Sequence, residues 1–447
     1  EIVLFLQESK ITPKSSYNDF INILLSHSAK IQEAEHGEGF WIDHWHYNLD
    51  LLENYRALYP EKLEKLVFDK SVFTFFDNTE IVRPRAVKYI IRNGRTQQLH
   101  SVAQDAEKKE LIHKRQELPH VLRSQYGKGG IYQTTLIDKL LCIFVNKLSS
   151  IDPCGCGIEM ESDKPNWYDA LNGLPAMFGS SSCETIELKR LAIFIEDCVG
   201  MTERNKIDVT REIGELLLSL HRLIKEYLQD NSGEKEYRYW DKATTLKEEY
   251  RLKTKLGFSG ESLEFKLMEL STIIADSIKR IDAAILKAKD KNKDIYTAYF
   301  INQVNEHKKL GGEHIFPVSF SQQKLPLFLE GQVHALRLAK DLKMAKSIYR
   351  ATKSSALFDK KLRMYKVTAS LKDMPQEIGR CTAFTSGWLE NESIWLHMEY
   401  KYMLELIKNG LYEEFYADFK NIFIPFLDPK KYGRSVIENS SFLVSSA

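Results

Sequence analysis

The stretch from Ile151 to Leu191, IDPCGCGIEMESDKPNWYDALNGLPAMFGSSSCETIELKRL, decides how the rest of the chain is read. Glu159, Glu161, Asp163 and Asp169 fall within eleven residues and alternate with Trp167, Tyr168 and Asn172. Gly155, Gly157, Pro165, Gly173, Pro175 and Gly179 break any regular backbone there. Helical periodicity lies on both sides. Ile137, Leu141, Phe144 and Leu148 share one face before the stretch, and a helix is expected over 184–200 after it. A loop of acids, aromatics and turn formers between helices suits an all-α enzyme that acts on sugars. An aromatic face stacks on a pyranose ring, Asn and carboxylates bind its hydroxyls, and one carboxylic acid protonates the glycosidic oxygen. Glu159 and Asn172 are candidate sugar contacts on this ground, with Trp167 and Tyr168 as the aromatic faces.

Outward from this loop, helices dominate. Towards the N-terminus, Phe20, Ile23, Leu24 and Ile31 are spaced as a helix that Ser16 can cap. The segment HGEGFWIDHWHYNLDLLENYRALYP (36–60) starts loosely at Gly37 and Gly39. It then reads as a helix with Trp45, Leu49, Leu52 and Tyr55 inward. Trp41 and Asp43 at its start fit a sugar subsite, or equally a core cluster and a helix cap. His44 and His46 are two apart and point to different helix faces, which argues against shared metal ligation. Residues 70–103 are the expected extended stretch, a minor β-hairpin turning at Asn93-Gly94. Arg83 and Arg85 read as an exposed loop pair. GKGGIYQTT (127–135) lacks the ending that a phosphate-cradling loop needs.

Towards the C-terminus, residues 203–310 shift to Lys- and Glu-rich helices and read as a helical insertion between 1–202 and 311–447. The last strong block is GWLENESIWLHMEYKYMLELIKNGLYEEF (387–415). Asn391 is placed as an N-cap and Asn409-Gly410 as the stop. Glu390 and His397 are seven apart, so on one helix they would share a face. The fold expected from these elements is all-α: an α/α barrel with functional loops at one mouth.

Composition narrows the function. The 447 residues are 43% hydrophobic and 28% charged, and 63 basic against 62 acidic residues leave a net charge of +1. That excludes a nucleic-acid binder working through bulk charge. The densest apolar run, LLCIFV at 140–145, is far too short to span a membrane. The chain opens on EIVLFLQESK without Met or a cleavable leader, and reads as an internal piece of a longer protein. Six cysteines make no disulfide framework and fit a reducing, cytoplasmic setting. Cys154-Gly-Cys156 lacks the second ligand pair of a structural zinc site, so no metal or cofactor is expected.

Trp167-Tyr168-Asp169-Ala170-Leu171-Asn172 resembles the W-N-D-x-x-N signature of the cellobiose phosphorylase family and related β-glucan phosphorylases. Glu390-Asn391 followed by His397 resembles that family's E-N-x5-H segment. The resemblance covers about 1–200 and 310–447. It implies an (α/α)6 barrel and inverting phosphorolysis of a β-glucoside, with Asp169 as general acid and inorganic phosphate as co-substrate. It implies that His397 lines the phosphate pocket together with Arg434, that Trp41 and Asp43 form part of the sugar subsite, and that the protein is a homodimer. Two departures stand out: Tyr168 replaces the signature's Asn, and Ile42 precedes Asp43 where an Arg is expected. Two alternatives remain open. One is an inverting hydrolase using Glu390 or Glu159 as base; the other is a non-catalytic carbohydrate-binding barrel.

Overall fold

The computed structural model describes residues 6–7, 10, 12–28, 44–164, 168–432 and 442–446. Helix α1 (Tyr17–Ser26) starts at Ser16, whose Oγ accepts a hydrogen bond from the Asp19 amide at 3.2 Å. Helix α2 (Trp45–Leu58) buries Trp45 and Leu49. Strands β1 (Tyr89–Arg92) and β2 (Arg95–Gln98) form a hairpin across Asn93-Gly94. Both turn residues have positive φ, 52° and 74°, as a two-residue hairpin turn that matches strand twist requires.

The chain does not form an all-α barrel. It is about 50% helical with 18% strand. Helix α3 (Leu136–Leu148) leads to two short strands, β3 (Ile158–Glu159) and β4 (Ser180–Ser181), and then to α4 (Ser182–Met201). Helices α5 (Arg211–Gln229), α6 (Lys235–Lys253) and α7 (Leu267–Ala288) follow. A long hairpin comes next, β5 (Tyr299–Gly311) and β6 (His314–Lys324). The hairpin recruits the earlier strands into one curled antiparallel sheet, ordered β2-β1-β6-β5-β4-β3. Thus Asn93-Gly94 belongs to a six-stranded sheet and not to a minor hairpin. The sheet escaped the periodicity reading for a physical reason. Only Tyr299–Asn302 of β5 are fully buried, and the rest of that strand carries Glu306, Lys308 and Lys309 to solvent. A half-solvated strand with such a polar tail resembles the Lys-rich helices before it.

Helices α8 (Leu329–Arg337), α9 (Leu342–Ser354), α10 (Leu396–Lys408) and α11 (Tyr412–Ile422) complete the chain's main elements. Helices α2–α7 share one apolar core that includes Leu49, Phe144, Leu188, Leu220 and Ile274. Helices α8–α11 share another, including Val333, Ile348, Tyr402 and Phe415. Each such buried side chain contributes about 1.5–3 kcal/mol relative to exposure. Helix α8 packs on both α4 and α10 and so joins the two blocks. A third cluster fills the seam beside that junction, with Tyr168, Cys183, Tyr299, Phe328, Leu371 and Cys381. Among the described residues, no helix is long and apolar enough to cross a membrane.

Candidate functional site

The central loop is fastened at its start by one buried carboxylate. Asp152 accepts hydrogen bonds from the amides of Cys154, Cys156 and Gly157 at 3.1, 2.9 and 2.8 Å, and from Ser180 Oγ at 2.6 Å. Asp152 therefore organises the CGC turn and ties it to β4. Burial pushes the Cys154 thiol up to about 12.

From there the acids of the loop divide. Glu159 and Glu161 turn under the sheet into an ion network. Trp240 Nε1 donates to Glu159 at 2.6 Å, and Lys247 Nζ lies 3.4 Å from its other oxygen. Glu161 is paired with Lys88 and with Arg251, the latter at 3.4 Å. Burial opposes ionisation of Glu161, but Lys88, Arg251 and Lys247 together hold it at about 2. Burial draws Lys247 down to about 8. Glu159 is thus engaged with α6 and is not offered to a substrate.

Asp169 lies in the short 3-10 turn Asp169–Leu171. That turn packs on a second one, Arg380–Ala383. Two glycines permit the approach. A Cβ at Gly379, where φ is 142°, would collide with the Ala170 carbonyl, and one at Gly173 would collide with the Glu377 carbonyl. The Gly173 amide donates to the Ile378 carbonyl at 3.1 Å. Asn172 is exposed beside this contact. Tyr168 is buried, with its ring edge-on to Phe328 at 5.3 Å, so it is core packing and not a sugar platform.

The second turn reaches Glu390. Arg380 Nη2 lies 3.3 Å from Glu390 Oε1, while Oε2 is buried with no hydrogen-bond partner among the described residues. Burial first, and then the Glu390 charge, push the neighbouring Cys381 thiol to about 12. Glu390 and His397 do not share a helix face as expected. Leu389 and Glu392 adopt positive φ, 46° and 61°, so the segment turns sharply; Ile394–Trp395 is extended, and α10 begins only at Leu396. Nor does Asn391 cap the helix. Its Oδ1 accepts from the Leu371 amide at 3.2 Å, and its Nδ2 donates to the Phe384 carbonyl at 2.8 Å. Thr368 Oγ1 clamps the same turn, donating to the Glu390 carbonyl and accepting from the Glu392 amide. Lys366 pairs with Glu392 at 2.8 Å.

His397 sits in the first turn of α10 with its ring 5.4 Å from that of Trp395. Burial, and then the charge of Lys401, lower its pKa. Lys401 reaches α2, donating to Tyr47 Oη at 3.2 Å. Trp41, Asp43, Trp167 and Arg434 lie outside the described residues.

A further polar group, missed in the sequence, lines the α4–α8 junction. His334 Nδ1 and Glu187 Oε1 are 2.5 Å apart, and Arg337 and Arg190 bond the same carboxylate at 2.9 and 2.5 Å. Arg190 also binds Asp50 and Glu53 of α2, and a charged cavity of about 350 Å³ opens there. Glu330 and His334 are four apart on one helix, a spacing visible in the sequence. Their partners Cys183 and Glu187 come from a distant helix and carry no local signal.

Compared with known proteins, no family model matches this chain and no curated sequence shows significant similarity to it.

Proposed function

We propose that the chain cleaves β-linked glucosides by inverting phosphorolysis, with Asp169 as general acid and inorganic phosphate as nucleophile. The observation that carries this reading is the packing of the Asp169–Gly173 turn on residues 376–383, which joins two acid-bearing segments distant in sequence. Asp169 gives its proton to the glycosidic oxygen as the bond to the anomeric carbon breaks. A phosphate oxygen attacks that carbon from the opposite face, and the products are an α-sugar 1-phosphate and the shortened acceptor. Such a reaction needs one acid and a basic pocket, not a second carboxylate. Arg380, Lys401 and His397 are the basic groups on offer around Glu390 and the start of α10, with Arg434 assigned to the same pocket by the resemblance.

One observation favours hydrolysis instead. Glu390 Oε2, which has no partner among the described residues, can take a proton from water, as the base of an inverting hydrolase does. Incubation with β-linked glucose oligomers, with and without phosphate, separates the two. Phosphorolysis yields sugar 1-phosphate only when phosphate is present, and Asp169→Asn should lower the rate by roughly 10²–10⁴-fold. Free glucose formed regardless of phosphate selects hydrolysis. Turnover that survives Asp169→Asn sinks both readings.

A further inference from the structure

The seam at the N-terminal ends of α4 and α8 holds three different donor types facing one another. Cys183 Sγ, one Glu330 carboxylate oxygen and one His334 ring nitrogen all lie within 4.8 Å of each other. Cys183 and His334 are buried, and Glu330 lies at the margin of burial, 9% exposed. We propose that this cluster is a metal site for one zinc-class divalent ion, held by Cys183 Sγ, Glu330 Oε1 and His334 Nε2, with a fourth position left to water.

His334 Nε2 and Glu330 Oε1 are 3.8 Å apart, within ion-pair range but too far for a hydrogen bond. Donors bound to one tetrahedral zinc at about 2.0–2.3 Å stand about 3.3–3.5 Å apart. Small side-chain rotations close the remaining distance.

Two of the three donors are aimed by contacts of their own. His334 is fixed through its other nitrogen, because Nδ1 meets Glu187 at 2.5 Å and leaves Nε2 turned towards Glu330. A carboxylate behind a histidine is the usual outer support of a metal-bound imidazole. Glu187 is itself pinned by Arg190 and Arg337. Glu330 is fixed likewise: Tyr299 Oη donates to Oε2 at 2.5 Å, which leaves Oε1 for the ion. The mixed sulfur, nitrogen and oxygen set suits zinc, which accepts all three, better than calcium or magnesium, which take oxygen. Three protein donors and an open position are the pattern of a zinc site that holds a water. The ion would also couple α4 to α8, one of the contacts through which the two helical blocks meet.

Binding requires the Cys183 sulfur to release its proton to solvent, and Nε2 to release any proton it carries. Affinity should therefore fall in acid. The site stands whether or not the turnover is phosphorolytic, because its test reads metal and not sugar.

The protein is purified without a histidine tag from zinc-supplemented medium, and its metal content is measured. It is then stripped with chelator and loaded with Co²⁺. The expected result is a single equivalent of zinc as isolated. Cobalt loading should give the near-ultraviolet thiolate-to-cobalt charge-transfer band with tetrahedral visible bands. Cys183→Ser should abolish the charge-transfer band, while Cys142→Ser, on α3, leaves it intact. Glu187→Gln should weaken binding by roughly 10–100-fold. Trace zinc with no thiolate–cobalt band in the wild-type chain overturns the proposal without any variant needing to fold. A band that survives Cys183→Ser in a chain of unchanged circular dichroism overturns it equally.

Discussion

Two groups of carboxylates in this molecule are buried to a similar degree and treated very differently. Under the sheet, Glu159 and Glu161 face Lys88, Lys247, Arg251 and Trp240, and every carboxylate oxygen has a cation or a donor. Near the seam, Glu390 has one oxygen on Arg380 and the other on nothing described, and Glu330 meets His334 Nε2 only across a long 3.8 Å ion contact. Burying a charge costs several kcal/mol unless partners compensate. The first group meets that requirement internally and behaves as structure. The second leaves acceptors unused, which is where a proton, a metal or a substrate can be taken up. Density of acids in the sequence therefore misdirects. The loop that looks richest in catalytic carboxylates has committed two of them to holding α6 beneath the sheet.

The largest effects come from exchanging the two groups' roles. Glu390→Gln should cut turnover by roughly 100-fold or more if Glu390 serves as base. If phosphate is the nucleophile, the loss should be smaller and should appear mainly as a raised KM for phosphate. Either way, its urea midpoint should stay close to wild type, since removing an incompletely paired charge relieves a penalty. Glu161→Gln should do the opposite. It leaves Lys88 and Arg251 without their carboxylate and should cost about 3 kcal/mol of stability, while turnover per folded molecule is unchanged. A stability loss in Glu390→Gln as large as that in Glu161→Gln would erase the distinction.

How much of this was legible beforehand follows the same divide between local and distant determinants. The Ser16 cap, the Asn93-Gly94 turn and the Asn409-Gly410 stop are local, and each stands where its residue chemistry puts it. The β5–β6 hairpin was not legible, because its outer positions carry the Lys and Glu of a solvated helix. The Glu390–His397 spacing failed because Leu389 and Glu392 take left-handed conformations that side chains of their type rarely adopt, a choice made by tertiary contacts such as Thr368 and Leu371. Arg380 gives no sequence signal at all, since its turn meets the Asp169 turn through the close approaches at Gly379 and Gly173.

Acidity and alkalinity sharpen the comparison at intermediate size. Glu161 is held at about 2, below its unfolded value, so the stability it contributes is present above the unfolded pKa and is lost as pH falls towards 2. Lys247 is lowered to about 8 by burial. Between about 8 and its unfolded pKa of about 10.4 the unfolded chain binds more protons there, so this group's contribution rises with pH. The difference in urea midpoint between wild type and Lys247→Met should therefore shift in favour of wild type over that interval. A flat difference would mean that Lys247 keeps its charge in the fold.

The smallest expected effect tests the clamp on Glu390. Thr368→Val keeps the shape of the side chain and deletes the hydroxyl that bonds the Glu390 carbonyl at 3.2 Å and the Glu392 amide at 3.0 Å. Two neutral hydrogen bonds on a buried turn are worth about 1–2 kcal/mol of stability. The turn also carries strained residues, Leu389 and Glu392, that the clamp helps to hold. Freed of it, Glu390 should wander from Arg380, so turnover should fall by more than the stability loss implies, with substrate affinity little changed. A ubiquitous drop in both kcat and folding midpoint, in proportion, would instead make Thr368 one more structural bond, of the same kind as those that hold Glu159 and Glu161 under the sheet.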